Sequence, residues 1–383
     1  MHILLLPITY PNHYNHYSGA FFCEQAKALS YEYKIGVIAL VGVSVKSLLK
    51  TFKLKLGFYR IKNKVDVWLY QYFSFPKMGY FNNFIRLQIG KKIFKAYVKE
   101  NGYPDLVHVH VFLAGDLAVW IKKTYGIPYI VTEHSSLFLG TTPFCWWHKI
   151  ILKRVYQNSL ANVSVSKALQ EALDSGFNIK SVVVPNTVDT DFFDMERKDV
   201  KDKKDFVFLN VANLNFNKNH NSLILAFKNV VNSGNNNCRL VIAGDGSEKQ
   251  KIEDLVSELN LTNFVSLVGS VNKEKIRSLM ADSNCFILTS YKETFGVVLI
   301  EAMSSGLPVI STKSGGPTDI VTDGKVGLLC DMDVNSIAEA MSIVITKSYD
   351  PRYIKAEAFK SFSYSAFLKK ITPVYMDSVN VEY

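Results

Sequence analysis

Twice along this chain, short apolar segments rich in β-branched residues alternate with helical stretches, and a densely charged segment separates the two runs. The first run reads "HILLL" (2–6), "KIGVIAL" (34–40), "VWLYQY" (67–72), "LVHVH" (106–110), "YIVT" (129–132) and "ANVSVS" (161–166), and closes at "SVVVPN" (181–186). The second reads "FVFLNVA" (206–212), "RLVIAG" (239–244), "FVSLVG" (264–269), "CFILT" (285–289), "PVIST" (308–312) and "GLLC" (327–330). Strands that are apolar on both faces and spaced by helices pack as parallel sheets covered on both sides. The pattern therefore predicts an α/β protein of two Rossmann-like domains, 1–185 and 206–361, joined by a linker over 186–205. In such sheets ligands bind beyond the carboxyl ends of the strands.

Composition narrows the class. The 383 residues suffice for two domains of ordinary size. The longest apolar runs fall far short of the ~20 residues a membrane span needs. "MHILLLPI" has no basic n-region and no small-residue cleavage site, so it reads as a first strand rather than a signal peptide. The five cysteines (Cys23, Cys145, Cys238, Cys285, Cys330) are odd in number and never in C-x-x-C spacing. That points away from disulfides and zinc and towards a reducing cytoplasm.

The net charge of +10 lies wholly in residues 1–199, which hold 24 Lys+Arg against 14 Asp+Glu. Residues 46–99 concentrate it, with 13 Lys+Arg and Asp66 as the one acid. Apolar residues such as Leu48, Phe52, Phe58, Phe84 and Phe94 interleave with these cations. Two readings stand: a surface for anionic membrane, or solvated helices whose apolar faces are core. No nucleic-acid-binding motif accompanies the charge, so nucleic acid is not an expected partner.

The stretch "ETFGVVLIEAM" (293–303) carries acids on either side of an apolar run. It follows a strand. Thr294 is a helix-capping residue type, and Gly306 and Pro308 are stop signals, so a helix is expected over about 295–305. Gly296 lets backbone N–H groups near its start approach an anion. Glu293 precedes that helix, and Glu301 lies seven residues after Thr294, roughly 10 Å along the axis. With a diphosphate at the helix start, one carboxylate can take a sugar's hydroxyls and the other a ribose diol. "TKSGGPTDIV" (312–321) forms a second anion nest, with Pro317 suited to a first helical position. "AGDGS" (243–247) ends a strand in a glycine turn.

In order and spacing, these pieces resemble the retaining family 4, or group 1, glycosyltransferases of the GT-B fold. The resemblance spans essentially the whole chain and is strongest over about 181–330. It implies a nucleotide-sugar donor held by the second domain, with Glu301 on the ribose, Glu293 on the transferred sugar, and Thr294, Phe295 and Gly296 beside sugar and diphosphate. Gly315 and Gly316 belong to the same donor site. In "VANLNFNKNHNSL" (211–223), Lys218 matches a lysine that neutralises the leaving diphosphate, whereas Asn213 stands where the family usually has arginine. "YSGAFFCEQAKAL" (17–29) resembles the family's first glycine loop, placing Gly19 near the phosphates. "PYIVTEHSS" (128–136) resembles the strand whose terminal histidine, here His134, faces the reacting sugar. By strand alternation His108 reads as core, and His110 is open between core and site. The helix about 362–383 resembles one that crosses back to the first domain.

The implied reaction is transfer with retention from a UDP-sugar to a glycan or lipid-linked acceptor in cell-surface polysaccharide synthesis. No residue is an obvious nucleophile, so front-face attack is expected, with the departing β-phosphate accepting the proton. No metal or other cofactor is expected. "DTD" (189–191) and "DMD" (331–333) do not adjoin the glutamate helix. The expected location is cytoplasmic, peripheral on the inner membrane face. An epimerase or phosphorylase on the same scaffold, or a non-catalytic subunit marked by Asn213, are the alternatives.

Overall fold

The structure, a computed structural model, describes residues 1–12, 18–44, 56–62, 64–140, 144–195, 205–235, 237–322 and 324–379. Contacts divide the chain into two compact units, Met1–Thr187 with Tyr364–Tyr383, and Val188–Ser363. The C-terminal helix Tyr364–Val379 thus belongs with the first unit. Its Thr372 hydroxyl lies 2.8 Å from that of Tyr33, and its Tyr375 ring is fully buried. Part of the charged segment, 196–204, lies outside the described residues. The preceding turn of helix, Thr190–Phe193, packs into the second unit through buried Phe193.

The first unit holds an eight-stranded sheet, built from β1 (His2–Pro7), β2 (Lys34–Ser44), β3 (Gly57–Lys62), β4 (Asp66–Ser74), β5 (Leu106–His110), β6 (Tyr129–Glu133), β7 (Asn162–Ser164) and β8 (Val182–Val183). Their order is β3-β4-β2-β1-β5-β6-β7-β8. All neighbours pair in parallel except β3, which runs antiparallel along the β4 edge. The sequence pattern had indicated neither β3 nor β8. β3 reads "GFYRIK" and is largely exposed, so it lacks the continuous apolar run of its buried neighbours. Central strands β1 and β5 are buried at every position.

The second unit is a six-stranded parallel sheet of β9 (Phe206–Val211), β10 (Cys238–Ala243), β11 (Val265–Gly269), β12 (Cys285–Leu288), β13 (Val309–Thr312) and β14 (Gly327–Cys330), ordered β11-β10-β9-β12-β13-β14. Helices His220–Asn232 and Val334–Thr346 cover one face, with Phe227, Leu240, Ile287 and Met341 in the core between them. In each sheet the strand order reverses once, at β1/β5 and at β9/β12. The loops leaving those strand pairs diverge there and open a crevice, the usual ligand position in a doubly wound sheet.

Candidate active site

In the second unit, the loops after β9 and β12 flank the switch point, and side chains lock them together. Asn217 receives the Lys292 N–H at 3.2 Å on its Oδ1 and donates from Nδ2 to the Lys292 carbonyl at 2.8 Å. Tyr291 N–H donates to the Asn217 carbonyl, and the Thr289 hydroxyl donates to the Lys218 carbonyl at 3.1 Å. These bonds bring Lys218 and Glu293 together, although 75 residues separate them. Lys218 Nζ donates to Glu293 Oε2 at 2.5 Å, and both side chains keep about a fifth of their surface in solvent. A partly exposed ion pair of this kind contributes little to stability and is open to exchange partners.

Glu293 also joins the two nests. Its N–H donates to Ser314 O at 2.9 Å, and its carbonyl accepts from Gly316 N–H at 2.8 Å. A Cβ on Gly316 would fall 2.3 Å from Thr294 O and 2.4 Å from Phe295 Cα, so the two loops fit only with glycine there. Pro317 opens the following turn Pro317–Ile320, as its type suggested. Gly315 and Gly316 therefore lie against 293–295, as the sequence reading required.

The helix itself differs from expectation in one respect. It spans Val297–Ser304, and its cap is Gly296 at φ 100°, ψ 53°, not Thr294. A cap here must turn into the left-handed region, which glycine adopts without strain. Phe295 is buried against Phe362, so the chain dips into the core before the helix begins. Glu301 is partly buried on the helix, five residues beyond the cap. Gly306 N–H returns to Met303 O and ends the helix as expected.

Asn213 is exposed, in a loop braced by the "AGDGS" turn. A Cβ on Gly244 would lie 1.8 Å from Ala212 O, and one on Gly246 would lie 2.3 Å from Leu214 O. The two glycines let that turn pack beneath the loop carrying Asn213 and Lys218.

The two D-x-D triplets have other work. Asp189 caps Thr190–Phe193, Asp331 pairs with Lys313, and Asp333 caps Val334–Thr346.

In the first unit, Gly19 caps helix Ala20–Leu29 at φ 69°, where a Cβ would meet Thr9 O at 2.8 Å. This helix carries Phe21 and Phe22 onto His134, each ring centroid 5.1 Å away. His134 follows β6, and His110 ends the adjacent β5. His110 Nδ1 and His134 Nε2 stand 3.2 Å apart, one donating and the other accepting. His108 stacks on His110 at 4.1 Å and is bonded at both ring nitrogens, to the hydroxyls of Tyr375 and Thr132. It is the core histidine that alternation indicated.

Burial holds all three rings in the neutral form. It lowers the His110 pKa to about 3 and those of His108 and His134 well below the ordinary value, with the neighbouring imidazoles adding to the effect. The buried His110 Nε2 and His134 Nδ1 have no partner among the described residues. Below them Glu133 is fully buried and accepts N–H bonds from Phe112, His134 and Ser135 and the Tyr156 hydroxyl. Burial raises its pKa against those four bonds. The His110–His134 pairing and the Lys218–Glu293 pair were not foreseen. The first had a signal, two histidines at neighbouring strand ends, but only once the strand order is known.

With this geometry described, its relatives can be compared. Residues 191–361 match the family described as glycosyl transferases group 1, and residues 57–192 match glycosyltransferase family 4. A 2-deoxystreptamine N-acetyl-D-glucosaminyltransferase of Niallia circulans is 28% identical over 74% of this chain and 77% of that protein. The gpi3 subunit of the Schizosaccharomyces pombe phosphatidylinositol N-acetylglucosaminyltransferase is 30% identical over 67% of this chain and 56% of that protein. Among solved structures, Anabaena Alr3699/HepE in complex with UDP and glucose superposes with a TM-score of 0.75 at 18% identity, covering 98% of this chain and 99% of that one. Sucrose-phosphate synthase from Thermosynechococcus elongatus gives 0.76 at 18% identity, covering 98% of each. The fold is GT-B, and the chain belongs to the group 1, family 4 glycosyltransferases.

Proposed function

We propose that this enzyme transfers a sugar, with retention, from a UDP-sugar to a glycan or lipid-linked acceptor in cell-surface polysaccharide synthesis. The observation that carries the reading is the Lys218–Glu293 pair at the β9/β12 switch point, between the Gly296 helix start and the Gly315–Gly316 turn. The diphosphate lies at the Gly296 helix start, where free N–H groups and the positive end of the helix dipole favour an anion. It draws Lys218 off Glu293. The lysine then neutralises charge that develops on the leaving phosphate, and the released carboxylate accepts hydroxyls of the transferred sugar. Glu301 takes the ribose diol. Asn213 offers an amide where relatives commonly place a cation, leaving Lys218 to carry more of the stabilisation.

In the first unit, Gly19 approaches the phosphates and His134 bonds the sugar through Nδ1. Neutral imidazoles suit a contact with hydroxyls, and His110 sets which nitrogen is protonated. The β-phosphate takes the acceptor's proton as the new bond forms on the face from which UDP leaves, so neither a carboxylate nucleophile nor a metal is assigned. The names of two relatives, an N-acetylglucosaminyltransferase and a structure with UDP bound, support a UDP donor. A cytoplasmic enzyme at the inner membrane face fits a lipid-linked acceptor, and the free cysteines accord with a reducing compartment.

Proton NMR of the acceptor-free reaction tests the stereochemistry. Slow release of the α-anomer from an α-linked UDP-sugar, insensitive to a chelator, is expected. Release of the β-anomer would exclude retention, and rapid conversion to a second nucleotide-sugar would mark an epimerase.

A further inference from the structure

The apolar residues of the first unit do not all reach its core. Beside the β4 end, Phe75, Met78, Tyr80, Phe81 and Phe84 are exposed, and across from them Trp146 is 65% and Ile150 44% exposed. Ring contacts make them one surface. Phe75 and Phe81 lie 5.9 Å apart, Tyr80 and Trp146 lie 5.3 Å apart, and Gly79 sits directly against Trp147. Monomeric proteins rarely leave so many large apolar side chains together in water without a partner.

Charge indicates the partner. Helix Gly79–Asn101 presents Phe81, Phe84, Gln88, Lys92, Lys95 and Lys99 at helical spacing, all exposed. Its first acid is Glu100. Helix Trp146–Tyr156 places exposed Lys149 and Lys153 beside Trp146 and Ile150 and contains no acid at all. Lys77, in the turn between, is also exposed. Aromatic rings rimmed by lysines, with acids missing from both helices, fit a plane that is apolar beneath and anionic above. A protein partner would need an acidic rim around an apolar hollow, whereas an anionic bilayer offers both along its whole surface.

We infer that this face docks the enzyme on an anionic lipid bilayer, with the aromatic cluster in the headgroup–acyl boundary and the lysines over lipid phosphates. The inference deepens the reading of a membrane-borne acceptor and rests on it for its purpose, while the surface itself is read from exposure and charge. It also relocates the basic patch. Lys46, Lys50, Lys53 and Lys55 lie outside the described residues, and Arg60 is tied to Asp66 and Glu100. The docking cations are those of the two helices.

Co-sedimentation of the full chain with vesicles of phosphatidylglycerol or phosphatidylcholine tests this. Wild type is expected on the anionic vesicles alone, less so at high salt. The triple variant Lys92→Gln/Lys95→Gln/Lys149→Gln should bind on the order of 100-fold more weakly, at ~1 kcal/mol per cation. Phe81→Ser/Phe84→Ser/Trp146→Ser should also be released, and both variants should bind UDP-sugar as wild type does. Absence of wild-type binding, unchanged binding in both variants, or self-association abolished by the aromatic variant would overturn the proposal. Vesicle binding by a protein that takes no nucleotide-sugar would uphold the docking face and refute the transferase reading.

Discussion

Acidification from about pH 7 to about pH 5 should destabilise the first unit steeply, because it buries three imidazoles in the neutral form. Unfolded histidine titrates near 6.5, so over that interval each ring gains most of a proton in the unfolded chain and almost none in the folded one. A lowered folded pKa means the unfolded state binds more protons. Stability from these rings is therefore full above about 6.5 and lost as pH falls towards the folded values, about 3 for His110. Each ring costs about 2 kcal/mol over the interval, and three cost about 6 kcal/mol, comparable with the whole stability of many domains. Glu133 works in the opposite sense: its raised pKa returns some stability as pH falls, so the sum is a ceiling. All four tryptophans, Trp68, Trp120, Trp146 and Trp147, lie in this unit, so urea unfolding followed by tryptophan fluorescence reports on it alone. The decisive variant is His108→Gln, in the core and outside the proposed chemistry. Whatever it costs at neutral pH, its loss between the two pH values should be about 2 kcal/mol smaller than that of wild type. An unchanged loss would mean that His108 accepts a proton in the folded state, and the argument from buried neutral rings would fail.

Other predictions follow from the second unit. Lys218→Met should lower the transfer rate by about 10²–10³-fold, the usual effect of removing one stabilising group from a transition state, with a smaller change in nucleotide affinity measured by calorimetry. Glu293→Gln should keep UDP affinity and lose transfer; equal turnover by wild type and variant would dissociate this carboxylate from the sugar. Gly316→Ala must force the 294–295 backbone aside, so UDP binding should weaken at least tenfold while the thermal midpoint moves little, because the clash is local to two loops. A fall in stability with unchanged binding would show those loops to be scaffold only.

Much of this was legible in sequence because parallel strands buried on both faces write themselves as apolar runs. β5 and β14 begin and end where "LVHVH" and "GLLC" do. β3 was not legible, since an exposed edge strand holding Arg60 and Lys62 resembles the basic stretch around it. The cap of the glutamate helix was misplaced for a physical reason: threonine is the better capping type, but burial of Phe295 shifts the start of the helix to Gly296, the one residue there that takes φ 100° without strain. The Lys218–Glu293 pair could not be read from sequence at all. It depends on β9 lying beside β12, a non-consecutive neighbour, and on Asn217 latching the two loops. The exposed aromatic cluster is a similar case. Phe81 and Phe84 look like core residues until Phe94 and Tyr97 are seen to occupy the buried face of the same helix.

The account stands on a nucleotide-sugar site built around Glu301, Lys218 and Glu293. The most direct test is calorimetric titration of UDP-, GDP- and ADP-sugars into wild type and Glu301→Ala, without acceptor and with chelator present. One UDP-sugar should bind wild type and lose at least tenfold in affinity with the variant, as expected when a carboxylate that accepts two ribose hydroxyls is removed. Binding of no donor, or equal affinity in both proteins, would contradict it.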